Sequence, residues 1–340
     1  MKQYTPKERL YRVLHHQEVD RMPSVCFTQT ATLDQMDKIN VYWPEAHDDP
    51  EKMALLAEAA HTIIGLEAIR VPFDITAEAE FFGCELKQGT KEQQPSVISH
   101  SIKELKDIEK YKDFRFGENT RCDHILKAIQ IISKKYSDLP ILGSMIGPFS
   151  LAQHLNGDNW FMSLLTNDSL VVPLIELTTN FCIEYSKKMI ENGADTIIVI
   201  DPTASYELLG EEFYKNFVMP YHKRIVDALS QYNNISTVLH ICGDTTEGIE
   251  LMDQAKFNAI SVDQKVNLEV AISKSKNGVI VGNLDPVQLL WRGTPELIKK
   301  QSSLIYSKGV KIVTAGCGIV SISPTENLQA MAQFAKDTSY

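Results

Sequence analysis

The feature that most constrains the fold is a regular alternation of short apolar runs with longer segments of helical period, which continues through nearly the whole chain. Short apolar runs are typical of buried strands, and a strand followed by a helix is typical of a parallel sheet with crossover connections. The sequence predicts eight such strands, at 23–27, 68–73, 140–145, 196–200, 237–241, 259–262, 278–281 and 311–314.

Helices are predicted between or after these strands, at 51–64, 120–136, 170–192, 211–231, 247–254, 267–274, 294–308 and 324–337. A further helix begins at Thr5-Pro6-Lys7-Glu8, which has the pattern of a capping box with proline at the first helical position. Eight β/α units in 340 residues predict an α/β fold, a closed (β/α)8 TIM barrel, as a single domain over 1–340. No G-x-G-x-x-G follows the first strand, so an open dinucleotide-binding sheet is not supported.

One stretch, 78–118, departs from the alternation. Its runs at 81–86 and 96–102 predict a hairpin or helical insertion after the second strand, near the mouth of the barrel.

Composition limits the kinds of partner and compartment. The formal charge is −10, with 34 basic and 44 acidic residues and no basic tract, which disfavours nucleic acids and anionic membranes. No apolar stretch reaches the length of a membrane span, and the N-terminal residues lack the apolar core of a signal peptide. The six cysteines are scattered, so we expect reduced thiols in a cytoplasmic protein.

Residues with metal-binding chemistry follow three of the predicted strands. His240 and Cys242 are two positions apart, so on an extended strand they point to the same side, and Cys317 follows the last strand. A closed barrel brings these strand ends around one mouth, where Asp263 follows the sixth strand. One imidazole and two thiols suit a zinc ion with one open position. The alternative is a capped strand end with inert buried thiols.

Several motifs together resemble a known family. They are His-Ile-Cys-Gly at 240–243, Gly-Cys-Gly-Ile at 316–319, Ile-Ser-Val-Asp-Gln-Lys at 260–265, and shorter stretches at 43–47, 70–73, 94–97, 194–202 and 325–327. In these stretches, which extend along essentially the whole chain, the sequence resembles the corrinoid-protein:coenzyme M methyltransferases. Those enzymes belong to the uroporphyrinogen decarboxylase-like barrel superfamily.

The resemblance implies zinc held by His240, Cys242 and Cys317, with Asp263 as a candidate fourth ligand where the family usually has Glu. It implies transfer of a methyl group from methyl-Co(III) of a corrinoid, carried by a partner protein, to the thiol of coenzyme M in methanogenesis. Coordination to zinc would keep the sulfur deprotonated and nucleophilic. The sulfonate would need an anion site, for which the sequence offers the start of the last helix at Ser323-Pro324-Thr325-Glu326, although simple N-capping also explains it.

Three alternatives remain open at this stage. A second thiol acceptor or methyl donor would use the same zinc chemistry, with methanol, methylamine and methylthiol pathways all compatible. A porphyrinogen decarboxylase on the same barrel is disfavoured, because Cys26-Phe27-Thr28-Gln29-Thr30 lacks that family's arginines. A non-catalytic barrel that binds a corrinoid protein or uses zinc structurally is disfavoured too, because structural sites usually have four protein ligands and a Cys-x-x-Cys unit.

Overall fold

A curled parallel sheet forms the centre of the computed structural model, which describes residues 3–166 and 168–340. The order of its seven strands is β1-β4-β5-β6-β7-β8-β9, and every neighbouring pair is parallel. The strands are β1 Ile69–Val71, β4 Ile141–Ile146, β5 Thr196–Ile200, β6 Ser236–Ile241, β7 Ala259–Val262, β8 Val279–Leu284 and β9 Ile312–Ala315, with β2 Leu86–Lys87 and β3 Ser96–Val97 in a separate pair. The predicted (β/α)8 barrel is confirmed, and seven of its eight predicted strands are present.

The first predicted strand, 23–27, is the exception. This segment is buried, but it forms no regular ladder with its neighbours. Its start is tied by single backbone bonds, from Glu67 N to the Ser24 carbonyl (2.6 Å) and from Met22 N to the Thr338 carbonyl (2.8 Å). Pro23 has no N–H to donate, which weakens any ladder at this position. The segment therefore lies between the first and last strands of the sheet without completing their hydrogen bonding.

The amino end of the barrel is closed by the N-terminal helix, α1 (Pro6–Leu14). The predicted capping box is present, with Glu8 N donating to Thr5 Oγ1 and Thr5 N donating to Glu8 Oε2. Leu10 and Leu14 of α1 belong to the apolar cluster that fills the barrel interior, together with Leu142 and Val238 from the strands. The helix thus supplies the floor of the barrel.

The predicted insertion after the second barrel strand is confirmed. Strands β2 and β3 pair antiparallel, with Leu86 opposite Val97, and short helices flank them. The run 81–86 begins as the end of a helix, because Phe81 is the last residue of Ala77–Phe81 and its ring packs against Phe82 and Phe181.

Helices cover the outside of the sheet and its loops. Besides α1 they are α2 Leu33–Ile39, α3 Glu45–Asp48, α4 Pro50–Ala59, α5 Ala77–Phe81, α6 Leu105–Ile108, α7 Arg121–Lys135, α8 Pro148–Asn156, α9 Asn159–Thr166, α10 Val171–Glu191, α11 Tyr206–Phe217, α12 Met219–Leu229, α13 Ile249–Gln254, α14 Leu268–Lys274, α15 Pro295–Ser307 and α16 Thr325–Asp337. Ala60–Ile64 and Pro286–Trp291 are π-helical, and Glu109–Tyr111 and Thr246–Gly248 are 3-10 turns.

The helix predicted at 211–231 is divided in the structure. Helix α11 ends at Phe217 and α12 begins at Met219, with Pro220 in its first turn. Proline cannot donate the hydrogen bond that a continuous helix requires, so the chain restarts there. No helix within the described ranges combines the length and apolar character needed to cross a bilayer.

Candidate metal centre

Three of the four predicted ligand residues meet at the carboxyl end of the sheet. His240 lies near the end of β6, Cys242 follows that strand, and Cys317 follows β9. Their ligand atoms all lie within 4.8 Å of one another. Cys242 Sγ is 3.5 Å from Cys317 Sγ and 3.3 Å from His240 Nε2. Two sulfurs bound to one tetrahedral zinc, with bonds of about 2.3 Å, would be about 3.8 Å apart, so the cluster has the size of a zinc site.

The orientation of the His240 ring is fixed from behind. Its Nδ1 lies 3.1 Å from the backbone carbonyl of Ser261 and 3.1 Å from Ser261 Oγ. A carbonyl only accepts, so Nδ1 carries the ring proton, and the lone pair of Nε2 faces the two thiols. His240 is therefore held in the tautomer that a metal requires.

The two thiols cannot both ionise easily without a cation. The hydrogen bond from Cys242 lowers the pKa of Cys317, whereas the same contact with Cys317, together with burial, raises the pKa of Cys242. One proton is thus shared between two sulfurs 3.5 Å apart. A divalent cation removes this conflict, because it neutralises both thiolates at once. The donor set and its electrostatics both match zinc.

Asp263, the candidate fourth ligand, lies beside the cluster but points its oxygens at the backbone. Oδ2 accepts from Gly243 N at 3.1 Å, and Oδ1 accepts from Lys265 N at 3.0 Å. Gly243 has φ +87°, a left-handed conformation that glycine adopts without strain, and this turn aims its N–H at the carboxylate. Asp263 thus holds the loop after Cys242 in position.

The loop that carries Cys317 is fixed by the irregular first segment of the barrel. Thr28 Oγ1 donates to the Cys317 carbonyl at 2.8 Å. Gln29 Nε2 donates to the Ile319 carbonyl, and Ile319 N donates back to the Gln29 carbonyl, each at 3.0 Å. Thr28 and Gln29 therefore support the loop that carries Cys317.

A cavity of about 300 Å³ opens onto the three ligands. Its other walls carry apolar and polar side chains from the first segment, the end of β1, the insertion and the loop after β9: Thr28, Gln29, Arg70, Phe73, Asp74, Ile75, Thr76, Gln94, Pro95, Ile200, Gly318 and Ile319. All six cysteines are free, and the other four lie outside the metal cluster.

A buried ion cluster borders this cavity. Asp74 accepts from Arg121 at 2.7 Å and lies 3.0 Å from His47 Nδ1, while Thr76 donates to its other oxygen. Burial alone would raise the pKa of Asp74, but Arg121 and His47 outweigh it and hold that pKa well below the usual range. Asp74 is therefore a carboxylate stabilised in its charged form by these partners. The sequence alone gives no sign of these partners.

Two other acidic residues that follow strands serve as helix caps. Asp201 accepts from Ser150 N (2.7 Å) at the start of α8, and Asp285 accepts from Val287 N (2.8 Å). The start of α16, considered as an anion site, is already occupied: Asp34 accepts from both Thr325 N and Thr325 Oγ1. A second carboxylate or sulfonate there would meet a negative charge.

Comparison with known proteins identifies the family. The uroporphyrinogen decarboxylase (URO-D) family model matches residues 5–338. The chain is 57% identical, over the full length of both, to a methylcobamide:CoM methyltransferase MtbA of Methanosarcina mazei, and 34% identical, again over both full lengths, to a methylcobamide:CoM methyltransferase MtaA of Methanosarcina barkeri. A solved methyltransferase from Methanosarcina mazei superposes with a TM-score of 0.89 at 32% identity, covering 98% of this chain and 99% of that one.

The chain therefore belongs to the uroporphyrinogen decarboxylase family. Within that family it is a methyltransferase, as the resemblance in its sequence motifs implied.

Proposed function

We propose that this methyltransferase moves a methyl group from a methylated corrinoid, carried by a partner protein, to the thiol of coenzyme M, and that zinc held by His240, Cys242 and Cys317 assists it. The observation that carries the proposal is the cluster of two sulfurs and one imidazole that lines a cavity of about 300 Å³. The names of the full-length relatives at 57% and 34% identity support the choice of donor and acceptor.

Zinc bound by these residues would hold the substrate sulfur as a thiolate at neutral pH, where a free thiol is only a few per cent ionised. The protein's own residues prepare that site. Ser261 accepts from Nδ1 of His240 and so turns Nε2 toward the two sulfurs, and Asp263 and Thr28 fix the loops that carry Cys242 and Cys317. Two anionic sulfurs and a neutral imidazole leave the centre electron-rich, which favours a nucleophilic substrate thiolate.

The overall reaction balances with the named reactants alone. The thiol proton passes to solvent, and the thiolate sulfur forms a bond to the methyl carbon as the cobalt–carbon bond breaks. Both electrons of that bond remain on cobalt, which changes from Co(III) to Co(I). This chain supplies position and a deprotonated nucleophile, whereas the corrinoid supplies the redox change. Reduced cysteines are a condition of the mechanism, consistent with the cytoplasmic location expected from the sequence.

The metal assignment is tested by zinc content. The wild-type protein should hold about one zinc per chain, and Cys242→Ala or Cys317→Ala should lose most of it, because each removes one of three ligands. Cys84→Ser is the matched control, since Cys84 is buried away from the cluster. Full zinc retention in both ligand variants would exclude this cluster as the metal site.

A further inference from the structure

One of the buried arginines, Arg70, lines the cavity at the candidate metal centre. Arg70 is in β1, where the register pairs it with Leu142 of the interior apolar cluster. Its side chain lines the same cavity as His240, Cys242 and Cys317, and the residue is only 4% exposed. A guanidinium at this depth is costly unless an anion accompanies it.

No such anion is supplied by the part of the chain that the structure describes. Arg70 Nη1 donates to the Pro72 carbonyl at 2.7 Å, but Nε is buried without a partner, and no carboxylate of residues 3–166 or 168–340 forms an ion pair with this guanidinium. The acidic group nearest in sequence, Asp74, is already bound by Arg121 and His47. Burial lowers the pKa of Arg70 to about 10, so it remains charged at neutral pH.

A second unsatisfied group borders the same cavity. Both amide atoms of Gln94, in the insertion after the second barrel strand, are buried without a hydrogen-bond partner. An amide N–H and a guanidinium with a free donor, both lining one cavity, are a donor set for oxygens. Buried donors are rarely left unpaired unless a ligand pairs with them.

We propose that Arg70, with Gln94 as a second donor, binds the anionic end of the thiol substrate, the sulfonate in the case of coenzyme M. This inference rests on the proposed function and adds the group that selects the acceptor. A guanidinium matches two oxygens of a sulfonate with parallel N–H donors, which a lysine cannot reproduce. The cavity then binds a thiol at the metal cluster and an anion at Arg70, and it discriminates against neutral thiols.

The charges of the site agree with this arrangement. The charge of Asp74 acts on Arg70 without direct contact, because the Asp74 oxygens are bound by Arg121, His47 and Thr76. The sulfonate neutralises the guanidinium, and the alternative anion position at the start of α16 is blocked by Asp34. We therefore expect the cavity to bind acceptor thiols that carry one anionic group.

The first test compares two acceptor thiols in the zinc-loaded enzyme. Arg70→Met should raise the KM for coenzyme M about 100-fold, or about 2.7 kcal/mol, with little change in kcat, because the lost contact lies away from the reacting sulfur. The KM for 2-mercaptoethanol, which has no sulfonate, should stay within about threefold of wild type. The KM of Arg70→Lys for coenzyme M should lie between those of wild type and Arg70→Met. Arg224→Met, which removes a surface arginine paired with Glu176, is the control. An equal rise in KM for coenzyme M and for 2-mercaptoethanol in Arg70→Met would overturn the proposal.

The second test separates the anion site from the metal. Ethanesulfonate carries the sulfonate but no thiol, so calorimetry should detect its binding to metal-depleted wild-type protein and not to metal-depleted Arg70→Met. Circular dichroism verifies that the variant is folded. Ethanesulfonate binding that is unchanged by Arg70→Met refutes the anion site. Binding that is lost in the variant supports it even if zinc proves not to occupy the cysteine cluster.

Discussion

Glu78 carries the clearest built-in pH dependence of the fold. It lies in α5 and is 1% exposed. Its Oε1 accepts from Ile146 N at 3.2 Å, whereas Oε2 is buried without a partner. Burial, with a smaller contribution from the negative charge of Asp74, raises the pKa of Glu78 from 4.5 to about 7. The folded protein therefore keeps this carboxyl neutral in mildly acidic solution.

The sign and size of the effect follow from proton linkage. Between pH 4.5 and pH 7 the folded state binds this proton and the unfolded state does not, so the free energy of unfolding falls as pH rises. A rise of about 2.5 pKa units, at about 1.36 kcal/mol each, gives a loss of about 3 kcal/mol by pH 8. Glu78→Gln has no titrating proton, so it should lack this component.

The assay is urea unfolding of metal-depleted wild type and Glu78→Gln at several pH values from about 4.5 to 8. The stability of the variant relative to wild type should rise by about 3 kcal/mol across this range, whatever the offset at the acidic end. Glu118→Gln, at an exposed position, is the control and should show no comparable rise. Parallel stability curves for wild type and Glu78→Gln would show that the buried carboxyl does not titrate in this window.

Two further predictions concern the metal centre. If Asp263 is a ligand when substrate is absent, X-ray absorption of the zinc protein should show one oxygen ligand besides sulfur and nitrogen. Asp263→Ala should then lose that oxygen and weaken zinc binding about 10- to 100-fold. An unchanged spectrum in the variant would show that Asp263 only accepts its two backbone hydrogen bonds. Calorimetry of coenzyme M in buffers of different ionisation enthalpy should detect about one proton released per thiol bound, and His240→Ala should suppress it; equal release from metal-free protein would contradict the thiolate mechanism.

Much of the barrel could be predicted from the sequence because buried parallel strands are continuous apolar runs. The run at 196–200 became β5, with all five residues buried. Segment 23–27 has the same apolar pattern, yet its ladder is absent, because pairing depends on the register between the two ends of the sheet and not on local composition. Helices α8 and α9 were missed, since they lie in the long connection after β4 that the alternation does not describe.

The meeting of His240, Cys242 and Cys317 at one rim could be predicted, because the pattern that carries it is local. His240 and Cys242 are separated by one residue on a strand, and the barrel rule alone brings Cys317 to the same rim. Arg70 was not assigned a role, because an arginine in a strand run gives no sign of its depth or its partners. What could have drawn attention to it is a charged residue inside an otherwise apolar run, Ala68-Ile69-Arg70-Val71.

Because α1 closes the amino end of the barrel, it affects how the reactants reach the cavity. Leu10 and Leu14 fill the amino end of the barrel, whereas the cavity is lined by residues at and beyond the carboxyl ends of the strands. The small thiol and the bulky corrinoid carrier of the proposed reaction would then reach the cavity through the same opening, at the carboxyl end of the barrel. A carrier bound over that opening would enclose the thiol and exclude bulk water. The thiol would therefore have to bind before the carrier, and the methylated product would leave only after the carrier has dissociated.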